Sequence, residues 1–156
     1  MVRESFLSLL YSLVLQDFPE SLVIALAVFS FLNLRLWGKR VFFIALLQTG
    51  TNLVRLLPIA FGMHSVLLII SLAFYTRIFT GARLSRIFQA ALICFALIAA
   101  AELIYAKSLL NLAGLTYEAA FANPFWRAAF ALPYEVLLFL TALGKDYYNR
   151  KRGLVC

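Results

Sequence analysis

The chain alternates long apolar runs with short polar breaks. Five of the runs have lengths suited to crossing a bilayer as helices, near the roughly 20 residues such a span needs. The expected spans cover about 18–37, 41–57, 64–79, 84–105 and 124–143, within one membrane domain over 1–156. Ahead of them, residues 1–17 place Ser5, Ser8, Ser12 and Gln16 on one side at helical spacing and Phe6, Leu9, Leu10 and Leu13 on the other, the pattern of an amphipathic helix. Its apolar core runs into Gln16 and Asp17 without a small-residue cleavage site, so the segment is expected to be retained rather than removed as a signal peptide. In Asp17-Phe18-Pro19-Glu20, Asp17 suits a helix cap, Pro19 a first turn, and Glu20 the position three residues after the cap. A single long helix bent at Pro19 would leave the orientation of the chain unchanged.

Pro58 cannot continue the hydrogen-bond ladder of the second span and should end it. Residues 108–123 mix Asn111, Gly114, Thr116 and Glu118 with apolar side chains and read as an interfacial helix and turn after a fourth span ending near Glu102 and Lys107. Asn123-Pro124 supplies a cap and a first-turn proline for the fifth span, with Trp126 and Arg127 at its outer edge. Pro133 is expected to kink that span near the midplane, and 144–156 reads as a basic cytoplasmic tail.

Composition fixes the class. Of 156 residues, 64% are hydrophobic and 13% charged, which excludes a soluble globule and leaves an all-α integral membrane protein. The net charge of +7 does not point to nucleic acid, because the basic residues sit in the gaps between apolar runs rather than on one soluble face. With the N-terminus outside, Arg35, Lys39, Arg40, Arg77, Arg83, Arg86, Lys145, Arg150, Lys151 and Arg152 fall inside, and only Arg3, Arg55, Lys107 and Arg127 outside. The positive-inside rule therefore predicts a multi-pass protein of a bacterial cytoplasmic membrane with its C-terminus inside. Cys94, within an apolar run, is expected to pack between helices, and Cys156 is not part of a prenylation box.

The chemistry-bearing residues are few. Gln48, Asn52 and Arg55 lie at i, i+4 and i+7 of the second span, one polar stripe that must face protein or water. Arg55 near the outer surface could pair with Asp17 or Glu20, or could join Asn52, His64 and Tyr134 in a pocket for a small anionic or peptide-like ligand. His64, the only histidine, lacks visible companions for metal binding or catalysis, although it could act as a pH switch. Glu135 follows Pro133 about halfway through the fifth span. It is either a proton-linked or ligand-binding carboxylate or a structural partner of the stripe. Tyr147 and Tyr148 read as interfacial anchors, and the tail beside them as an attraction for anionic lipid. No phosphate loop, no nucleophile with its base and no cofactor motif is visible, which argues against an enzyme.

At FPESLVIALAVFS, LVRLLPIAFGMHSVLLII and NPFWRAAFALPYEVLLFLTAL the chain resembles the N-terminal membrane module of sensor histidine kinases of spore-forming Gram-positive bacteria, similar to peptide-pheromone receptor kinases. The resemblance implies a multi-span ligand sensor. No phosphoacceptor motif or ATP-binding domain follows the fifth expected span, so it implies a detached sensor, modulator or accessory subunit. The expected function is thus a non-enzymatic sensing or accessory subunit whose partners are the bilayer and another membrane protein or a second copy. The alternatives are a small transporter using Glu135 and a structural subunit of a larger membrane complex.

Overall fold

The computed structural model describes residues 6–60 and 62–155, and of Arg55 and Leu56 only the backbone. Ser5, Cys156 and the side-chain partners of Arg55 therefore lie outside the described residues. The protein is 84% helical, with no strand among the described residues. Its first helix, α1, runs from Phe6 to Phe31. α2 covers Lys39–Thr51 and tightens into a 3-10 turn at Asn52–Leu56, and α3 covers Met63–Thr80. α4 spans Leu84–Ala113, α5 is the short Tyr117–Ala122, and α6 runs Pro124–Lys151.

Four of these helices, α1, α3, α4 and α6, are long and apolar enough to cross a membrane. α2 is shorter and begins with Lys39 and Arg40, so the second expected span is a 13-residue α-helix finished by one tighter turn. Large apolar side chains cover the outside of the bundle, among them Leu103 at 83% exposure, Ile104 and Leu112. Such a surface suits lipid rather than water. The fold is that of an all-α, multi-pass membrane protein in a lipid bilayer.

α1 is the centre of the bundle. Its apolar window is 61% buried, against 22% for α3 and α4 and 33% for α6. Every residue from Ile24 to Ser30 is buried, because α2, α4 and α6 pack around it. Three of the seven side chains in that run are Ala25, Ala27 and Ser30, small enough to let neighbouring backbones approach from several sides. Ile44, Leu72, Ala91, Cys94 and Leu138 close the core around this run, with Cys94 fully buried as packing.

The expected break at Asp17 does not occur. Asp17 has helical backbone angles, makes no cap hydrogen bond and is buried, and the chain passes through Pro19 without interruption. A π-helical turn at Leu13–Asp17, closed by the Phe18 N–H on the Leu13 carbonyl, takes up the strain. Proline has no N–H to give and its ring crowds the preceding turn, so a widened turn just before it accommodates the ring. The amphipathic segment and the first span are one helix, which ends at Phe31 rather than near 37. There Asn33 takes a left-handed conformation (φ 58°). The Leu34 N–H bonds the Phe29 carbonyl and the Asn33 N–H that of Ser30, satisfying the last carbonyls of the helix.

α4 also departs from expectation. Nothing between Leu84 and Ala113 breaks a helix, so 108–113 continue α4 until Gly114 (φ 64°) terminates it, and the interfacial element shrinks to α5. α6 continues through the expected tail as far as Lys151. α6 runs parallel to α1. At one end the Arg127 guanidinium donates to Ser12 Oγ (3.4 Å), and at the other Ser30 Oγ donates to the Ala142 carbonyl while Asn149 Nδ2 donates to the Ser30 carbonyl, both at 2.9 Å. With short turns reversing the chain between α1, α2, α3 and α4, Arg35, Lys39, Arg40, Arg77, Arg83, Arg86 and the basic residues of 145–152 share one end of the bundle.

Candidate functional site: an acidic chamber beside the central helix

Apart from Ser30, Thr76, Asp146 and Asn149 toward the basic end, two groups of polar side chains stand out in the bundle. The first is the stripe of α2. Gln48, 3% exposed, donates through Nε2 to the Leu68 carbonyl (2.9 Å) and accepts from Ser71 Oγ (3.1 Å). Asn52 Nδ2 donates to Ser21 Oγ of α1 at 3.3 Å. Both amides are thus engaged by α1 and α3. They pin helices, as buried polar groups in apolar surroundings must be paired to be tolerated.

The second group forms a chamber of about 380 Å³ at the end of the bundle remote from the basic cluster. Gln16 and Glu20 reach it from α1, Ser65 from the first turn of α3, Glu102 from α4, Phe121 from α5 and Tyr134 from α6. The π turn matters here. It adds a residue to one turn of α1 and brings Gln16, Asp17 and Glu20 to a buried face together. Glu135 lies beside Tyr134 on α6, 7% exposed, and its Oε1 has no hydrogen-bond partner among the described residues. It is within electrostatic range of Glu20. Tyr105 OH, in range of Glu20, Glu102 and Glu135, donates to the Phe130 carbonyl at 2.7 Å, in the turn where Pro133 lacks a donor.

A second hollow of about 590 Å³ continues from the chamber and shares Ala99, Glu102 and Phe121 with it. Its remaining walls are mainly apolar, including Leu103, Leu110 and Tyr117, whose ring stacks on Phe121 at 4.3 Å, with Lys107 the one charged side chain among them. A carboxylate-lined chamber opening into an apolar, aromatic groove is chemically suited to a positive group on an apolar body. Carboxylate oxygens attract a positive group, and aromatic faces add a further attraction for cations.

The structure therefore brings together Glu20, Tyr134 and Glu135 from the expected site, with Asp17 buried on the same helix face. Gln48 and Asn52 do not line the chamber and bond Leu68, Ser71 and Ser21 rather than Glu135, while the side chain of Arg55, the third member of the stripe, lies outside the described residues. His64 sits in the first turn of α3, half-buried, with no hydrogen-bond partner for Nδ1 among the described residues. Gln16, Glu102, Tyr105 and Phe121 are additions. Glu102 was hidden by reading it as the end of a span. The signal that could have shown otherwise is the uninterrupted helical sequence around it, AELIYAKSLLNLA. Among the described residues no group of three His, Cys, Asp or Glu side chains is placed to hold a metal ion. No family model matches the chain, and comparison with curated proteins and with solved structures finds no match.

Proposed function

We propose that this protein is a sensing or accessory subunit of a bacterial cytoplasmic membrane that binds a positively charged, partly apolar ligand in the acidic chamber. The observation that carries the reading is a chamber walled by Glu20, Glu102 and Tyr134 beside the buried Glu135, with the bundle packed solid beyond it by Ile24–Ser30, Ala91, Cys94 and Leu138. A hollow closed on one side is suited to binding rather than to through-passage. The basic end faces the cytoplasm by the positive-inside rule, so the chamber opens outward. The resemblance of FPESLVIALAVFS and NPFWRAAFALPYEVLLFLTAL to sensor-kinase membrane modules agrees with this reading. It replaces an anionic ligand with a cationic one, because Asn52 is occupied by Ser21 and Tyr134 faces carboxylates.

The test uses two probes of one shape and opposite charge, tetraphenylphosphonium and tetraphenylborate, with the whole protein in lipid nanodiscs. The expected result is saturable phosphonium binding, weakened about 10- to 100-fold by Glu20→Gln or Glu102→Gln, as for loss of one charge-assisted contact. Equal uptake of both ions, or phosphonium binding indifferent to these substitutions, overturns the proposal. A second reading, proton- or solute-coupled transport, is favoured by the buried Oε1 of Glu135, which has no hydrogen-bond partner among the described residues. It requires flux into proteoliposomes that Glu135→Gln abolishes.

A further inference from the structure

The opposite end of the bundle carries a hollow of its own. The turn between α1 and α2 encloses about 390 Å³, lined by Arg35, Trp37, Gly38, Lys39, Arg40 and, from α3, Thr80. The three cations have no acidic partner among the described residues. The buried carboxylate at this end, Asp146, is held by Arg150 at 2.8 Å.

Local electrostatics within α2 are unfavourable. A helix N-terminus carries partial positive charge and favours acidic residues, yet the first turn of α2 contains Lys39 and Arg40 and no acid. Gly38, at the cap in extended conformation, offers no side-chain acceptor to the first N–H groups, and Lys39, Arg40 and Val41 all line the hollow. Two exposed cations on an uncapped helix start, joined by a third from the turn, disfavour the helix end slightly and make the hollow attractive to an anion. Trp37, 67% exposed, stands beside it with the amphipathic character of a membrane-interface side chain.

We propose that this hollow binds a phosphate group, carried either on an anionic phospholipid or free in solution. Guanidinium groups meet phosphate oxygens in paired hydrogen bonds, the ammonium of Lys39 adds a point charge, and the α2 N–H groups donate along the helix axis. The site is independent of the acidic chamber, which lies at the other end of α1.

The experiment is native mass spectrometry of the whole protein titrated with phosphatidylglycerol or phosphatidylcholine, with inorganic phosphate as competitor. Two triple variants remove the same charge at the same end: Arg35→Gln/Lys39→Gln/Arg40→Gln in the turn, and Arg150→Gln/Lys151→Gln/Arg152→Gln in α6 and just beyond it. One phosphatidylglycerol bound in preference to phosphatidylcholine, weakened about a hundredfold by the turn variant and little by the other, supports the site with lipid as its source. Saturation by inorganic phosphate with indifference to lipid, lost in the turn variant, supports it with free phosphate as the source. Equal losses in both triples, or no saturable binding of either ligand, overturn the proposal. Should the turn triple fail to fold, Arg40→Gln alone is expected to weaken binding about tenfold, and an unchanged affinity refutes the site.

Discussion

Replacing Ala27 by leucine tests whether α1 is the buried axis of the bundle. Ala27 is fully buried, with Leu26 and Val28 buried on either side, so the added methylene and methyl groups meet packed neighbours whichever way they turn. Overpacking of this kind costs about 1–3 kcal/mol. Helix propensity contributes only a few tenths, since leucine is nearly as good a helix former as alanine. For a chain of this size the loss corresponds to roughly 5 °C in melting temperature. The control is Leu103→Ala on α4, where an 83% exposed side chain contacts little protein and the expected change is within about 0.5 kcal/mol. Reversible unfolding in mixed micelles titrated with sodium dodecyl sulfate, followed by circular dichroism, measures both. Ala27→Leu at parent stability, or Leu103→Ala costing as much as Ala27→Leu, would refute the placement of α1.

Three further predictions concern single features. Pro19→Ala restores a backbone donor and lets the π turn regularise, so stability should stay level or rise by up to about 1 kcal/mol while phosphonium binding falls as Gln16 rotates away from Glu20; unchanged binding in a dialysis assay contradicts the role given to the turn. Asn149→Ala removes a fully buried amide that donates to the Ser30 carbonyl, with an expected cost of about 1–3 kcal/mol from the lost hydrogen bond and void, read in the same micelle titration. Gln48→Leu should cost about 1 kcal/mol without altering phosphonium affinity, because its partners Leu68 and Ser71 also bond each other at 3.0 Å and neither they nor Gln48 line the chamber; a fall in affinity would show that the two polar groups communicate.

Hydrophobic pattern and caps made much of the helical framework legible. The Asn123 side chain accepts the Phe125 N–H at 3.0 Å with Pro124 in the first turn, as the dipeptide implied, and α3 begins and ends within a residue of the expected 64–79. Asp17-Phe18-Pro19-Glu20 misled because the same residues that make a cap at an exposed helix start can sit inside a helix when a π turn precedes the proline. Apolar sequence on both sides of that tetrapeptide was the available warning. The central position of α1 was harder to read, since hydropathy does not separate a helix buried by protein from one facing lipid. The small residues Ser21, Ala25, Ala27 and Ser30 mark it in retrospect, because close helix packing in a bilayer depends on them. The stripe of Gln48, Asn52 and Arg55 is expected from spacing to need partners, and Gln48 and Asn52 have them. Their identity, Ser21, Leu68 and Ser71, depended on helix rotation, which spacing alone does not fix. The chamber escaped notice for the same reason, as Glu20, Glu102 and Glu135 come from three helices far apart in sequence.

The most direct measurement of the central claim is the labelling rate of a cysteine placed at Ser65, which lines the chamber and is exposed. Cys156→Ser removes one native thiol, and Cys94 is fully buried. The account predicts that a membrane-impermeant maleimide added outside intact cells labels Ser65→Cys, that tetraphenylphosphonium slows the reaction about tenfold, and that Glu20→Gln abolishes the protection. Labelling only from the cytoplasmic side, or a rate untouched by the phosphonium ion, would contradict an outward-facing acidic chamber.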